Sequence, residues 1–209
     1  AVAEVLCGEV NPSGKLPYSI PRSAGQVPFY HHQRNGTGFR NPLPPDVPRH
    51  YLDTAATPLY GFGRGESYTR FELTDLACDA TMDTGGSSRI SATLRNAGDR
   101  NGATVVQLYA SAQGVGVTRP AQQLVGFTRV ELESGSTARI EFELKASQFG
   151  YTAAGGDFVV DPGSLKVWLA FDSEHPLLVA DIEVIGDQRS LSSADRSFAC
   201  WPTVKTRQD

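Results

Sequence analysis

From Phe71 to about Ile185, apolar residues recur at every second position, and only a pleated strand gathers such residues on one face. Ile90, Ala92 and Leu94 alternate with Arg89, Ser91, Thr93 and Arg95. Ile140, Phe142 and Leu144 alternate with Arg139, Glu141 and Glu143. Leu165, Val167, Leu169 and Phe171 share one parity, as do Leu178, Ala180, Ile182 and Val184. Turn signals separate the runs: Asn96-Ala97-Gly98-Asp99, Glu133-Ser134-Gly135-Ser136 and Asp161-Pro162-Gly163. Several short alternating strands with turns between them predict a mainly β chain, an antiparallel sandwich with its own core.

Upstream the pattern is different. Val2, Val5 and Leu6 fall at i, i+3 and i+4, a short helical face that Gly8 is placed to end. Asn11-Pro12-Ser13-Gly14 fits a type I turn, and Leu16–Pro21 follows as a short extended piece. A helix, a turn and one strand cannot bury a core alone, so residues 1–28 read as the tail of an α/β domain whose body is missing. Residues 29–70 are irregular, as expected of a functional loop or a linker. Residues 35–70 are assigned as the connection proper, leaving 1–34 to the α/β remnant. The sandwich is expected over 71–186. Residues 187–209 are polar and read as a tail wrapping the surface, with Phe198 and Trp201 as anchors.

The balance of 19 basic against 23 acidic side chains, net −4, lacks the basic stripe of a nucleic-acid binder. No apolar run approaches the roughly 20 residues that span a bilayer, so neither partner is expected. The chain opens Ala-Val-Ala-Glu, without initiator Met or signal peptide, and so reads as part of something longer. Its three cysteines, Cys7, Cys78 and Cys200, form no C-x-x-C pair. They read as unpaired, mostly buried thiols; an exported protein could join two of them, but the spacing does not choose which.

Paired carboxylates run much hydrolytic chemistry, so the acids come first. Glu131 with Glu133, and Glu141 with Glu143, sit on strand faces opposite the apolar ones and read as solvated. Asp53 and Glu66 lie in the irregular region, where a surface or cap role is favoured. Adjacent His31 and His32 point to opposite sides of an extended chain, poor geometry for joint metal binding. Gly61, Gly63 and Gly65 precede a strand rather than open a helix, which argues for a tight bend instead of a phosphate cradle. Asn35-Gly36-Thr37 matches a glycosylation sequon. No H-E-x-x-H, G-x-S-x-G or Walker motif occurs, and the residues alone show no catalytic constellation.

The run Leu6-Cys7-Gly8-Glu9-Val10-Asn11-Pro12-Ser13-Gly14-Lys15-Leu16-Pro17 resembles the segment closing the α/β sandwich domain of glycoside hydrolase family 3. Pro58-Leu59-Tyr60-Gly61-Phe62-Gly63-Arg64-Gly65-Glu66-Ser67-Tyr68-Thr69-Arg70-Phe71 resembles that family's junction into a fibronectin type III-like domain. Within the domain, residues 96–102, Val105–Tyr109, Thr118–Pro120 and Leu124–Val130 fit the family pattern. The loop from Phe29 to Gly38 is similar to the periplasmic bacterial β-glucosidase branch. Three positions depart: Cys7 stands where the family usually has Phe, and Arg64 and Glu66 replace an aromatic residue and a Leu. A glutamate at a normally apolar place needs a cation such as Arg64 beside it.

The resemblance implies an immunoglobulin-like sandwich preceded by a remnant of an α/β sandwich domain. It implies the C-terminal fragment of an exo-acting, retaining β-glycosidase, periplasmic or secreted, that removes terminal non-reducing β-D-glycosyl residues from oligosaccharides or aryl glycosides. In this family the aspartate nucleophile belongs to a barrel, and in this branch the glutamate acid/base lies in the α/β domain upstream of the matched segment. Neither motif is in this chain, so no catalytic residue carries over and no cofactor is implied. Tyr30, His32 and Arg34 are expected near the rim of the sugar pocket, because aromatic rings and forked donors suit sugar faces and hydroxyls. The chain's partners would then be the barrel and α/β domains of the same enzyme. The alternatives are a free-standing fibronectin-like module binding carbohydrate or protein, and an accessory subunit of a split enzyme. Residues 1–28 argue against the free-standing module, which has no use for half a helix and one strand of another fold.

Overall fold

A computed structural model describes residues 2–34, 54–113 and 116–207. Asp53 and the Asn35-Gly36-Thr37 sequon lie outside the described residues. Period two becomes two packed sheets. One has the order β1 (Phe71–Cys78), β3 (Ser87–Asn96), β6 (Thr137–Lys145), β12 (Pro202–Arg207). The other has the order β2 (Thr81–Asp83), β10 (Pro176–Ile185), β9 (Gly163–Ala170), β4 (Gly102–Gln113), β5 (Gln123–Leu132). A small third sheet holds β7 (Tyr151–Thr152), β8 (Phe158–Val160) and β11 (Arg189–Ser190). Pairing between these strands is antiparallel except between β2 and β10, which run parallel.

Register places the apolar parities against each other. Ile90 faces Phe142 and Ala92 faces Ile140 across β3–β6, while Leu108 faces Leu169 and Ala110 faces Val167 across β4–β9. These side chains are sealed from solvent and form one contiguous core between the sheets. The opposite parity of β5 and β6 carries the acids. Glu131 pairs with Arg129 at 3.4 Å, Glu141 with Arg89 at 3.1 Å, and Glu143 accepts from the Ser87 hydroxyl at 3.0 Å. They are solvated strand-face groups, as their spacing indicated.

Upstream, the helix runs over Val2–Leu6 and closes at Gly8, whose φ of 77° suits a residue without Cβ. Of the stripe that patterned the helix, Val2 and Leu6 are exposed and Val5 is half-buried. The type I turn expected at Asn11–Gly14 does not form; the chain there is irregular. Asn11 holds the junction instead of a turn. Its carboxamide oxygen accepts from the Tyr68 amide at 2.8 Å and the Ser67 hydroxyl at 3.0 Å, and its nitrogen donates to the Asn101 carbonyl at 3.1 Å. These bonds, with Tyr68 Oη on the Val5 carbonyl (2.8 Å) and Arg100 on the Gly8 carbonyl (2.8 Å), tie the first segment to the sandwich.

The end of the chain corrects the sequence reading. Residues 202–207 are not a surface wrap but the edge strand β12, in register with β6 from Pro202–Phe142 to Arg207–Thr137. Phe198 and Trp201, expected as anchors, are 83% and 87% exposed. Cys200 is the anchor. It is buried, its amide donates to the Val125 carbonyl at 2.8 Å and its thiol to Gln148 Oε1 at 3.3 Å. All three cysteines are free, but only Cys200 is buried; Cys78 is half-buried and Cys7 exposed, against the expectation of mostly buried thiols.

Candidate functional site

The central strands β4 and β9 bury both faces near one end, where alternation would leave one face wet. Tyr109 and Trp168 lie opposite each other in register, their rings stacked at 5.9 Å and 15°, on the outer face of the sheet. Phe62 covers them from the junction, with Leu124 at the side. The buried Tyr109 hydroxyl donates to Gln107 Oε1 at 2.6 Å, and Gln107 Nε2 donates to the Phe171 carbonyl at 2.7 Å and that of Gly63 at 3.3 Å. A buried phenol thus keeps its hydrogen bond, and the glutamine pins the junction to the sheet. Gly63 makes this approach possible. Its φ is 80°, and a Cβ there would overlap the Gln107 carboxamide.

On this platform sits the loop read as a sugar rim. His31 turns inward, flat on Phe62 at 4.1 Å and 22°, with its edge towards Tyr109 at 6.4 Å. Tyr30 and His32 turn outward together, centroids 5.5 Å apart, and both are exposed. The Gln33 carbonyl accepts from the Ala121 amide at 2.7 Å, and Arg34 bridges to Pro120, so the stretch before β5 fixes the loop's far end. The structure therefore brings Tyr30 and His32 side by side, with the exposed Arg34 two positions further along. The sequence reading missed His31 and the Phe62–Tyr109–Trp168 platform. The signal was present: Trp168 and Ala170 are apolar on the parity opposite Leu165, Val167 and Leu169, which marks a strand covered on both faces.

A second cluster lies where the junction meets the β9–β10 turn. A cleft of about 290 Å³ is lined by Lys15, Arg64, Glu66, Asp172 and His175 among others. Asp172 is buried and holds four partners: the amides of Glu174 (2.9 Å) and His175 (3.0 Å), the His175 ring (2.9 Å) and Arg64 (3.4 Å). Burial pushes its carboxyl up, but the Glu174 amide, then the His175 ring and charge, outweigh this and hold it below the usual range. Burial lowers the Lys15 ammonium, against the opposing pull of Asp172 and Glu66. Glu66, in the family's apolar position, keeps 78% of its side chain in solvent and pairs with Arg64 at 2.5 Å. Its charge is accommodated at the surface, not buried. Among the described residues, the carboxylates displaced from their ordinary range, Asp161, Asp172 and Asp195, are all displaced downward, the wrong direction for a general acid. Among the described residues no group of three or more His, Cys, Asp or Glu is arranged to hold a metal ion.

The fold and this platform define a class: a fibronectin type III-like sandwich with the closing segment of another domain fastened to its outer face. The comparisons agree. Residues 1–68 match the glycosyl hydrolase family 3 C-terminal domain, and residues 104–173 match the fibronectin type III-like domain. This chain belongs to glycoside hydrolase family 3, as the end of that C-terminal domain with the fibronectin-like domain behind it. It is 37% identical over 175 residues to a periplasmic β-glucosidase of Salmonella typhimurium, covering 83% of this chain and 23% of that protein. It is 31% identical to a putative β-xylosidase of Formosa agariphila, covering 83% and 22%. Among solved structures, a Listeria innocua β-glucosidase in complex with glucose superposes with a TM-score of 0.81 at 32% identity, over 89% of this chain and 26% of that one. The chain thus spans about a quarter of the length of the relatives it matches.

Proposed function

We propose that this chain is the C-terminal, non-catalytic part of an exo-acting, retaining β-glycosidase of the β-glucosidase type. Residues 1–34 close the α/β domain, 35–70 connect, and 71–186 form the fibronectin-like domain that buttresses them. The observation that carries the reading is the joint match: both family domains, in order, on one chain whose relatives are named β-glucosidases and β-xylosidases. The exposed Val2 and Leu6 suit a helix that packs on the rest of an α/β domain. A periplasmic or secreted setting rests on the Salmonella relative.

In this reading the substrate is a β-linked oligosaccharide or aryl glycoside, cleaved by carboxylates upstream, and Tyr30, His32 and Arg34 form part of the pocket rim. The tilted Tyr30–His32 pair offers two ring faces to solvent, and the stack beneath holds them in place before substrate arrives. The test is a chimera in which this chain replaces the matching C-terminal quarter of the Salmonella β-glucosidase. It should hydrolyse cellobiose, and alanine at Tyr30, His32 or Arg34 should raise KM several-fold with a smaller change in kcat. A folded chimera without activity would sink the family reading; unchanged KM in all three variants would remove the rim.

A further inference from the structure

At the far end of the sandwich, roughly 30 Å from the junction by the length of β3, a second cleft of about 410 Å³ opens between the Gly85-Gly86 turn, the end of β6 and the segment after β11. Three cations line it, Lys145, Arg189 and Arg196, against two acids, Glu143 and Asp195. That is a local inversion in a chain that is acidic as a whole. The acids are occupied. Glu143 accepts from Ser87, and Asp195 Oδ2 accepts from the Ser192 hydroxyl (2.7 Å) and amide (3.2 Å). Arg196 lies over the Phe158 ring at 4.2 Å. Among the described residues, no carboxylate comes within ion-pair distance of Lys145 or Arg189, although Arg189 is near enough for its charge to help lower the Asp195 carboxyl, behind the bonds from Ser192. The Arg189 guanidinium lies against Gly85, in the space that a Cβ there would occupy.

We propose that this cleft binds an acidic sugar unit, its carboxylate or sulfate held by Arg189 and Lys145. A guanidinium fork matches a planar carboxylate or two oxygens of a sulfate, and Lys145 adds a point charge. The walls beyond the cations carry the Ser147 hydroxyl and those of Ser87 and Ser197, whose protons go to Glu143 and the Ala199 carbonyl and whose lone pairs remain to accept from the hydroxyls of a sugar, which a bare ion lacks. The volume falls in the range of small-molecule sites and exceeds what an inorganic anion fills. Leu191 and Ala194 are the larger apolar members of the lining, and no aromatic ring lines it on which a nucleotide base would stack. The site is separate from the proposed rim, and its existence does not depend on the catalytic reading.

The experiment is a titration of the 209-residue chain by nuclear magnetic resonance, with D-glucuronate, glucose 6-sulfate, glucose and inorganic sulfate in separate arms. Amide shifts of residues 85–87, 145–147 and 189–197 should saturate with at least one acidic sugar and not with glucose. Arg189→Gln and Lys145→Gln, both exposed positions, should keep the spectrum of the fold and weaken binding about tenfold or more, the scale of one charge-assisted hydrogen bond. Inorganic sulfate binding as tightly as the sugars would mean an adventitious ion only, and would overturn the proposal. So would no saturation by either acidic sugar, or binding that both substitutions leave unchanged.

Discussion

The His31 imidazole lies flat on the Phe62 ring, centroids 4.1 Å apart and planes 22° from parallel. One residue belongs to the loop that ends the first 34 residues and the other to the junction further along the chain. Together they clamp the loop to Tyr109 and Trp168 of the sandwich. An aromatic pair of this kind adds about 0.5–1.5 kcal/mol beyond its buried area. Phe62→Ala should therefore release the loop while sparing the core. Hydrogen exchange of the Ala121 amide, which donates to Gln33, should accelerate at least about tenfold while the Leu108 amide in β4 stays protected. Equal acceleration at both would show that Phe62 supports the whole sandwich instead.

Two glycines separate backbone strain from steric overlap. Gly63 and Gly135 have nearly equal φ, 80° and 78°, but a Cβ at Gly135 meets open space while one at Gly63 meets Gln107. Gly135→Ala should cost about 1 kcal/mol, the strain of a left-handed alanine. Gly63→Ala should cost at least about 2 kcal/mol more, because Gln107 must move and strand its partners, the Phe171 carbonyl and the Tyr109 hydroxyl. Urea denaturation measures both; equal losses would mean the Gln107 contact contributes nothing.

Asp172 gives the acid limb of stability. Its carboxyl is held below the ordinary range in the folded chain, so its contribution is present in full above the unfolded value of about 4 and is lost as pH falls through the folded value. At pH 7 Asp172→Asn should lower unfolding free energy by roughly 1–3 kcal/mol, since Arg64 loses a charged partner and the His175 ring faces an amide. As pH falls below the ordinary carboxylate value of about 4, the difference between variant and parent should shrink. A difference that is constant with pH would show that the loss comes from packing alone.

The thiols should separate by reactivity. Burial pushes Cys200 up to about 12, Gln148 opposing and Glu143 adding, so at pH 8 only about one molecule in ten thousand carries a thiolate there. A disulfide reagent at pH 8 should modify exposed Cys7 first, half-buried Cys78 more slowly, and Cys200 only after unfolding. Prompt reaction of Cys200 in the native chain would show that β12 and its lead-in detach readily.

Period two made the sandwich readable because each core residue is fixed by burial on one side, as Ile90, Phe142 and Leu169 are. It did not reveal β12, whose Lys205 and exposed Val204 carry no strong alternation because an edge strand needs only backbone pairing. Trp201 and Phe198 misled for a related reason: size and apolarity suggest anchors, but the residue buried there is the small Cys200. The type I turn at Asn11–Gly14 was lost to partners 56 and more residues away, which no local pattern contains. At the candidate site, Tyr30, His32 and Arg34 were singled out for their side-chain chemistry, and the structure leaves all three exposed. The stack that positions them was not, since His31, Phe62, Tyr109 and Trp168 come from four separated stretches.

In the proposed reading this chain supports catalysis without performing it. Retaining hydrolysis needs a carboxylate nucleophile and a second carboxyl about 5–5.5 Å away, poised as the acid. Here the strand-face acids are solvated and the displaced ones are held low. The most direct measurement is nitrophenol release from aryl β-glucosides and β-xylosides by the purified 209-residue chain, beside a mock purification. No release above the mock is expected. Turnover that disappears on Asp53→Asn or Glu66→Gln would place the catalytic carboxylate within this chain and overturn its non-catalytic role.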